Sequence, residues 1–94
     1  MSVARITTVN FNTKDDADTM VENYVSNAPN EFPEAEQLLQ VRTSDTTVVA
    51  ISIYSDNEAM ERASIVREKR LGATNHKHDS LDTKTGEILI NHKK

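Results

Sequence analysis

The stretch Thr46-Thr47-Val48-Val49-Ala50-Ile51-Ser52-Ile53-Tyr54 constrains this chain more than any other. It holds no Gly or Pro and is dense in β-branched residues, so it reads as a strand. Side chains alternate across a strand. One face carries Thr47, Val49, Ile51 and Ile53, and the other carries Thr46, Val48, Ala50, Ser52 and Tyr54. Both faces are substantially apolar, whereas an antiparallel sheet with one wet face shows cleaner alternation. The larger set is expected under helices. The smaller set, centred on Val48, Ala50 and Ser52, is expected to meet the same face of a second copy across a two-fold axis.

The rest of the chain supplies a frame for that strand. Residues 3–11 read as a first strand. Thr13 is a candidate N-cap, with Asp15 and Asp16 at the positive end of the helix that follows. Ala17, Met20, Val21, Tyr24, Val25 and Ala28 fall on one stripe. Pro29 disfavours helical geometry in the residue before it, which predicts a helix over 14–28. Residues 35–43, with Leu38, Leu39 and Val41, form a strand joined by Ser44-Asp45 to residues 46–54 as a hairpin.

Ser55 with Glu58 has capping-box spacing, and Ala59, Met60, Ala63 and Val66 give the second helix an apolar side. Gly72 suits the position just past its end. Residues 73–86 are polar, and Ile88, Leu89 and Ile90 suggest a last short strand over 87–91. The order β-α-β-β-α-β specifies an α+β, ferredoxin-like domain spanning 1–94: one antiparallel sheet with both helices on one face.

Composition narrows the functions open to it. With 94 residues the chain makes one domain, and at this size it buries roughly 60–68% of its unfolded surface. Hydrophobic residues make up only 36%, so covering apolar surface by association would help it. No cysteine is present, which removes disulfides and thiolate chemistry and fits a reducing, cytoplasmic setting. No apolar run approaches the ~20 residues of a membrane helix, and the N-terminus does not read as a signal peptide. Net charge is −4 with mixed signs, and Arg67, Lys69 and Arg70 suit the end of a helix, so no nucleic-acid partner is expected.

Glu34-Ala35-Glu36-Gln37-Leu38-Leu39-Gln40-Val41-Arg42, then Val48 to Tyr54, then Ser55-Asp56-Asn57-Glu58-Ala59-Met60, carry a resemblance. A strand, a short turn, a strand ending at an aromatic and a polar helix start with Glu-Ala resemble the dimeric α/β-barrel superfamily. Within it they are similar to the antibiotic-biosynthesis-monooxygenase-like domains. The likeness is one of element types over most of the chain. It implies a homodimer whose sheets face each other, with a small-molecule cleft between each sheet and its helices. Members of the superfamily include cofactor-free oxygenases of polycyclic phenols and haem-degrading enzymes.

Candidate chemistry follows on two lines. Cofactor-free oxygenation needs a pocket that binds a phenol-like molecule and stabilises its anion. Asn10, Asn12 and Tyr54 offer hydrogen bonds, Tyr24 and His78 are further substrate contacts, and His76 is a base near neutral pH. His76 and Asn10 are thus the catalytic candidates of a monooxygenase-like enzyme without cofactor. Haem binding is the alternative that the resemblance implies, with His76 or His78 as iron ligand and Asn10 or Asn12 on the distal side. The haem-degrading members also use a tryptophan on the second helix, and this chain has none, Ala63 lying near that position. A metal held by His76 and His78 with Asp79 or His92 competes with a plain solvated loop, and no metal is assigned. A third reading is a non-catalytic homodimeric binding or assembly domain. The sequence holds no Gly-rich phosphate loop and no nucleophile elbow.

Overall fold

The computed structural model describes residues 2–74 and 78–92. Six elements follow in the order β1 (Val3–Phe11), α1 (Lys14–Glu31), β2 (Gln37–Arg42), β3 (Thr47–Tyr54), α2 (Asn57–Thr74) and β4 (His78–Glu87). The four strands form one antiparallel sheet in the order β2-β3-β1-β4. This is the expected ferredoxin-like βαββαβ arrangement, with the helices over one face.

Residues paired across a sheet share a face. The helix-side rows are therefore Leu38–Ser52–Arg5–Thr85, Gln40–Ala50–Thr7–Thr83 and Arg42–Val48–Val9–Leu81. The opposite face shows Leu39–Ile51–Ile6–Lys84 and Val41–Val49–Thr8–Asp82. Two core clusters sit under the helices, one at each end of the rows. Val3, Ala28, Phe32, Tyr54, Ala59 and Ala63 make the first, and Phe11, Ala17 and Val48 make the second.

The two faces of β3 are therefore the reverse of the expectation. Val48 and Ser52 are 3% and 5% exposed beneath the helices, together with Ala50, so they do not form a face open to a second copy. The larger Val49, Ile51 and Ile53 lie on the outer face, beside Ile6, Leu39 and Val41, which are 44%, 41% and 49% exposed. The reason is volume. Aromatic rings, namely Phe11, Tyr24, Phe32 and Tyr54, take up much of the space under the helices, and a small-residue floor accommodates them. Alternation identifies two faces, but only the facing elements decide which one is inside.

Other boundaries moved for local reasons. Thr13 caps α1 as expected, its hydroxyl accepting from the Asp16 N–H at 3.1 Å. Helix α1 runs through Pro29 to Glu31, because the Phe32 N–H closes the last turn on the Ala28 carbonyl and both residues are buried together. Asp56, rather than Ser55, caps α2, accepting from the Ala59 N–H at 2.8 Å. Gly72 lies inside α2. The last strand is polar His78–Glu87, not 87–91, and Leu89 and Ile90 are 90% and 82% exposed. An edge strand needs only backbone pairing on one side and is commonly polar, so hydrophobicity misplaces it.

Candidate ligand cleft beneath the helices

Between the two core clusters the floor of the sheet is built from Thr7, Ala50 and Ser52. None of these reaches far enough to fill the gap below the helices. The result is a cleft walled by Val9, Phe11 and Val48 on one side and by Phe32 on the other. Met20 and Tyr24 of α1 and Arg67 of α2 roof it, and Gln40 closes the β2 edge. Its cavity volume is about 60 Å³. At roughly 10–15 Å³ per water, it takes about four to six waters, the scale of one six-membered ring. A second, more open and larger cleft of about 320 Å³ lies between α1 and β2 and shares Tyr24 and Gln40 with it.

Arg5 dominates the floor. Its side chain comes from the third residue of β1 and the residue is 4% exposed. One guanidinium nitrogen donates to Ser64 Oγ at 3.0 Å and the other terminal nitrogen to the Tyr54 hydroxyl at 3.1 Å. The guanidinium carbon lies 5.6 Å from the Tyr54 ring centroid and 5.9 Å from that of Phe32, within cation–π range. Ser64 is held in turn by donating to the Met60 carbonyl at 3.0 Å. Burial pushes the Arg5 pKa below its usual value, with the Tyr54 and Tyr24 side chains opposing that shift.

Arg67 reaches down from α2 onto the middle row. It donates to Thr7 Oγ1 at 3.2 Å and to Thr83 Oγ1 at 2.5 Å. Burial lowers its pKa most, the positive charge of Arg5 lowers it further, and Tyr54 and Glu68 act the other way. Two cations thus face one cleft closely enough to repel. Among the described residues neither forms an ion pair, and no carboxylate lines the cleft.

The residues singled out from sequence separate cleanly. Tyr24 lines the cleft, and Tyr54 lies fully buried beside it, acting on it through Arg5. Asn10 is on the outer face, bonded to Thr47 Oγ1 at 2.8 Å and Ser80 Oγ at 3.0 Å, and so cannot reach the cleft. Asn12 is exposed in the bend before α1. His76 lies outside the described residues. His78 opens β4 opposite Phe11, and its side chain also lies outside them. Arg5, Gln40 and Ser52 carry no site signal in the motif pattern, and Arg67, expected at a solvated helix end, is half-buried over the cleft and bonded to its floor. An arginine among β-branched residues within a predicted strand was the available signal for Arg5. Among the described residues the lining of this cleft holds no histidine to ligate a haem iron.

No family model matches the sequence, and no curated protein matches it. Solved structures do. A dimeric ferredoxin-like protein from an uncultured marine organism aligns with TM-score 0.81 and 15% identity, over 97% of this chain and 98% of that one. The chain has that fold. A cofactor-independent oxygenase, SnoaB from Streptomyces nogalater (its N63A mutant), aligns with TM-score 0.70 and 16% identity, over 96% and 95%. A candidate antibiotic biosynthesis monooxygenase from Bacteriodes thetaiotaomicron gives 0.74 and 15%, over 99% and 94%. The resemblance drawn from element types thus holds at the level of the fold. At these identities a shared fold does not carry an activity with it.

Proposed function

We propose that this protein is a homodimer that binds a small organic molecule in the cleft beneath its helices and acts on it as a cofactor-free, monooxygenase-like enzyme. The observation that carries the reading is the cleft itself: a largely apolar space on which Arg5, Arg67, Tyr24 and Gln40 converge. A cofactor-independent oxygenase among the structural neighbours supports it. In such chemistry an ionised, electron-rich substrate passes electrons directly to dioxygen. The protein's tasks are to bind, to stabilise the anion and to exclude bulk water. Buried cationic donors suit the second task, because hydrogen bonds to a charged group strengthen where water is excluded.

Two copies meet through the outer sheet face, where Ile6, Leu39 and Val41 are exposed around Val49, Ile51 and Ile53. The dimeric description of a neighbour with the same fold supports this, as does an apolar band spanning three adjacent strands. No helix among the described residues is long and apolar enough to cross a membrane, and a cytoplasmic location suits a chain without cysteine. The reading is tested by oxygen uptake with a panel of single-ring and fused-ring phenols. Uptake by the protein that stops when a bulky residue fills the cleft, as in Ala50→Phe, is the expected result. No uptake above the spontaneous rate across the panel would overturn the enzymatic reading and leave a binding protein.

A further inference from the structure

Resting on the ligand cleft just proposed, we infer that Arg5 and Arg67 make it an oxyanion site that takes an organic acid with a single ring or short chain at its charged end. The argument begins with what a buried guanidinium needs. It carries five N–H donors and a charge that is costly to desolvate. Proteins normally meet that cost with a carboxylate. Here Arg5 is 4% exposed, and its recorded partners are two neutral hydroxyls and two aromatic rings. These hold and orient the group without neutralising it.

A second cation makes the arrangement more specific. Arg67 is half-buried, stands over the same cleft and is likewise held by hydroxyls, those of Thr7 and Thr83. Thr7 lies two residues from Arg5 on β1, so the two side chains arise from adjacent rows of the helix-side face. Two like charges stand beside an apolar cleft, and among the described residues no carboxylate lies between them, an arrangement that packing alone does not call for. A ligand oxyanion would serve both guanidinium groups. Met20, Phe11, Val9 and Val48 would then meet the apolar body of the ligand. Room for about one ring beside the two guanidinium groups sets the size of the ligand's charged end, and the adjoining cleft past Tyr24 and Gln40 would take any extension. The oxyanion is either a carboxylate or an ionised hydroxyl, since guanidinium donors satisfy both.

The protein provides its own probe. Its two tyrosines, Tyr24 and Tyr54, both flank the cleft, and it has no tryptophan. Tyrosine emission and calorimetry would follow titration with cyclohexanecarboxylate and with its neutral counterpart cyclohexanemethanol. A parallel arm would use 4-nitrophenol, whose absorbance reports its ionisation. The acid is expected to bind at least about tenfold more tightly than the alcohol, the gain from hydrogen bonds to a charged group. Bound 4-nitrophenol is expected to ionise at lower pH than the free compound.

Arg67→Gln should remove most of the acid's advantage over the alcohol. Arg5→Lys, which keeps the charge but loses the fork of donors, should weaken the acid by an intermediate amount. Equal binding of acid and alcohol, with 4-nitrophenol unshifted, would overturn the anion site and leave the cleft as a neutral pocket. A preference that survives Arg67→Gln with an unchanged melting midpoint would also overturn it. Binding of neither probe, by calorimetry as well as emission, would remove the ligand cleft and this inference together. Preference for the carboxylate alone or the phenolate alone would support the site and name its ligand.

Discussion

The hydroxyl of Tyr54 accepts a hydrogen bond from Arg5 at 3.1 Å, fully beneath the helices and across paired strands β3 and β1. It joins a core cluster to the floor of the cleft. Tyr54→Phe keeps the ring and removes the acceptor. Leaving a buried guanidinium donor without its partner should cost about 1–3 kcal/mol, read as a lower urea midpoint at unchanged slope. Tyr24→Phe, on the cleft wall, should change stability less. If the two variants are equally stable, the Arg5–Tyr54 bond contributes nothing particular.

The outer face and the cleft face predict opposite outcomes for two glutamates. Ile6→Glu places a charge in the proposed interface and should give a monomer in sedimentation at micromolar concentration, with the cleft still able to bind. Ala50→Glu puts its charge below the helices, so it should block the cleft while the dimer persists. A wild-type monomer at those concentrations would refute the assembly.

Phe32 is 4% exposed and anchors the end of α1 against Tyr54 and Val3. Truncating it to alanine should cost about 3–5 kcal/mol, a large share of the stability of so small a domain. Calorimetric melting would show either a large fall in midpoint or loss of the transition.

Pro29 lies within the last turn of α1 and is exposed. A proline there lacks the N–H that would bond back along the helix. Pro29→Ala should therefore raise the urea midpoint, the ring contributing no buried contact in the core. A fall would mean that the restriction Pro29 places on the unfolded chain outweighs the helix penalty.

Acid stability should follow two carboxylates. Hydrogen bonds from Arg42 and then Lys14 hold Asp18 below its usual range, and a bidentate bond from Arg62 does the same for Glu34. A depressed folded pKa means stability that is present above the unfolded value and lost as pH falls through the folded one. The unfolding midpoint should hold from neutrality to about pH 5 and drop below that. Both pairs are exposed, so the change should be small and weaker in high salt. Asp18→Asn with Glu34→Gln should flatten the acid limb of the profile.

Much of the fold is local and is written locally. The β1, β2–β3 and α1 segments follow from β-branched runs, a short polar turn and a stripe ending in a cap that Thr13 provides. The order of the six elements then leaves few topologies. Strand β4 escaped because an edge strand pairs through its backbone and needs no apolar signature. Of the site, Tyr24 and Tyr54 were legible as residues, while Asn10 belonged to the opposite face. The strand 47–54 shows the division most sharply. Its period of two separates Val48, Ala50 and Ser52 from Val49, Ile51 and Ile53 without any structure. Which set faces the helices depends on the volume of the side chains brought over it. Aromatic rings from β1, α1, the α1–β2 loop and β3 itself meet there only in the folded chain, so tertiary structure alone decided the inner face, the outer face and the two arginines between them.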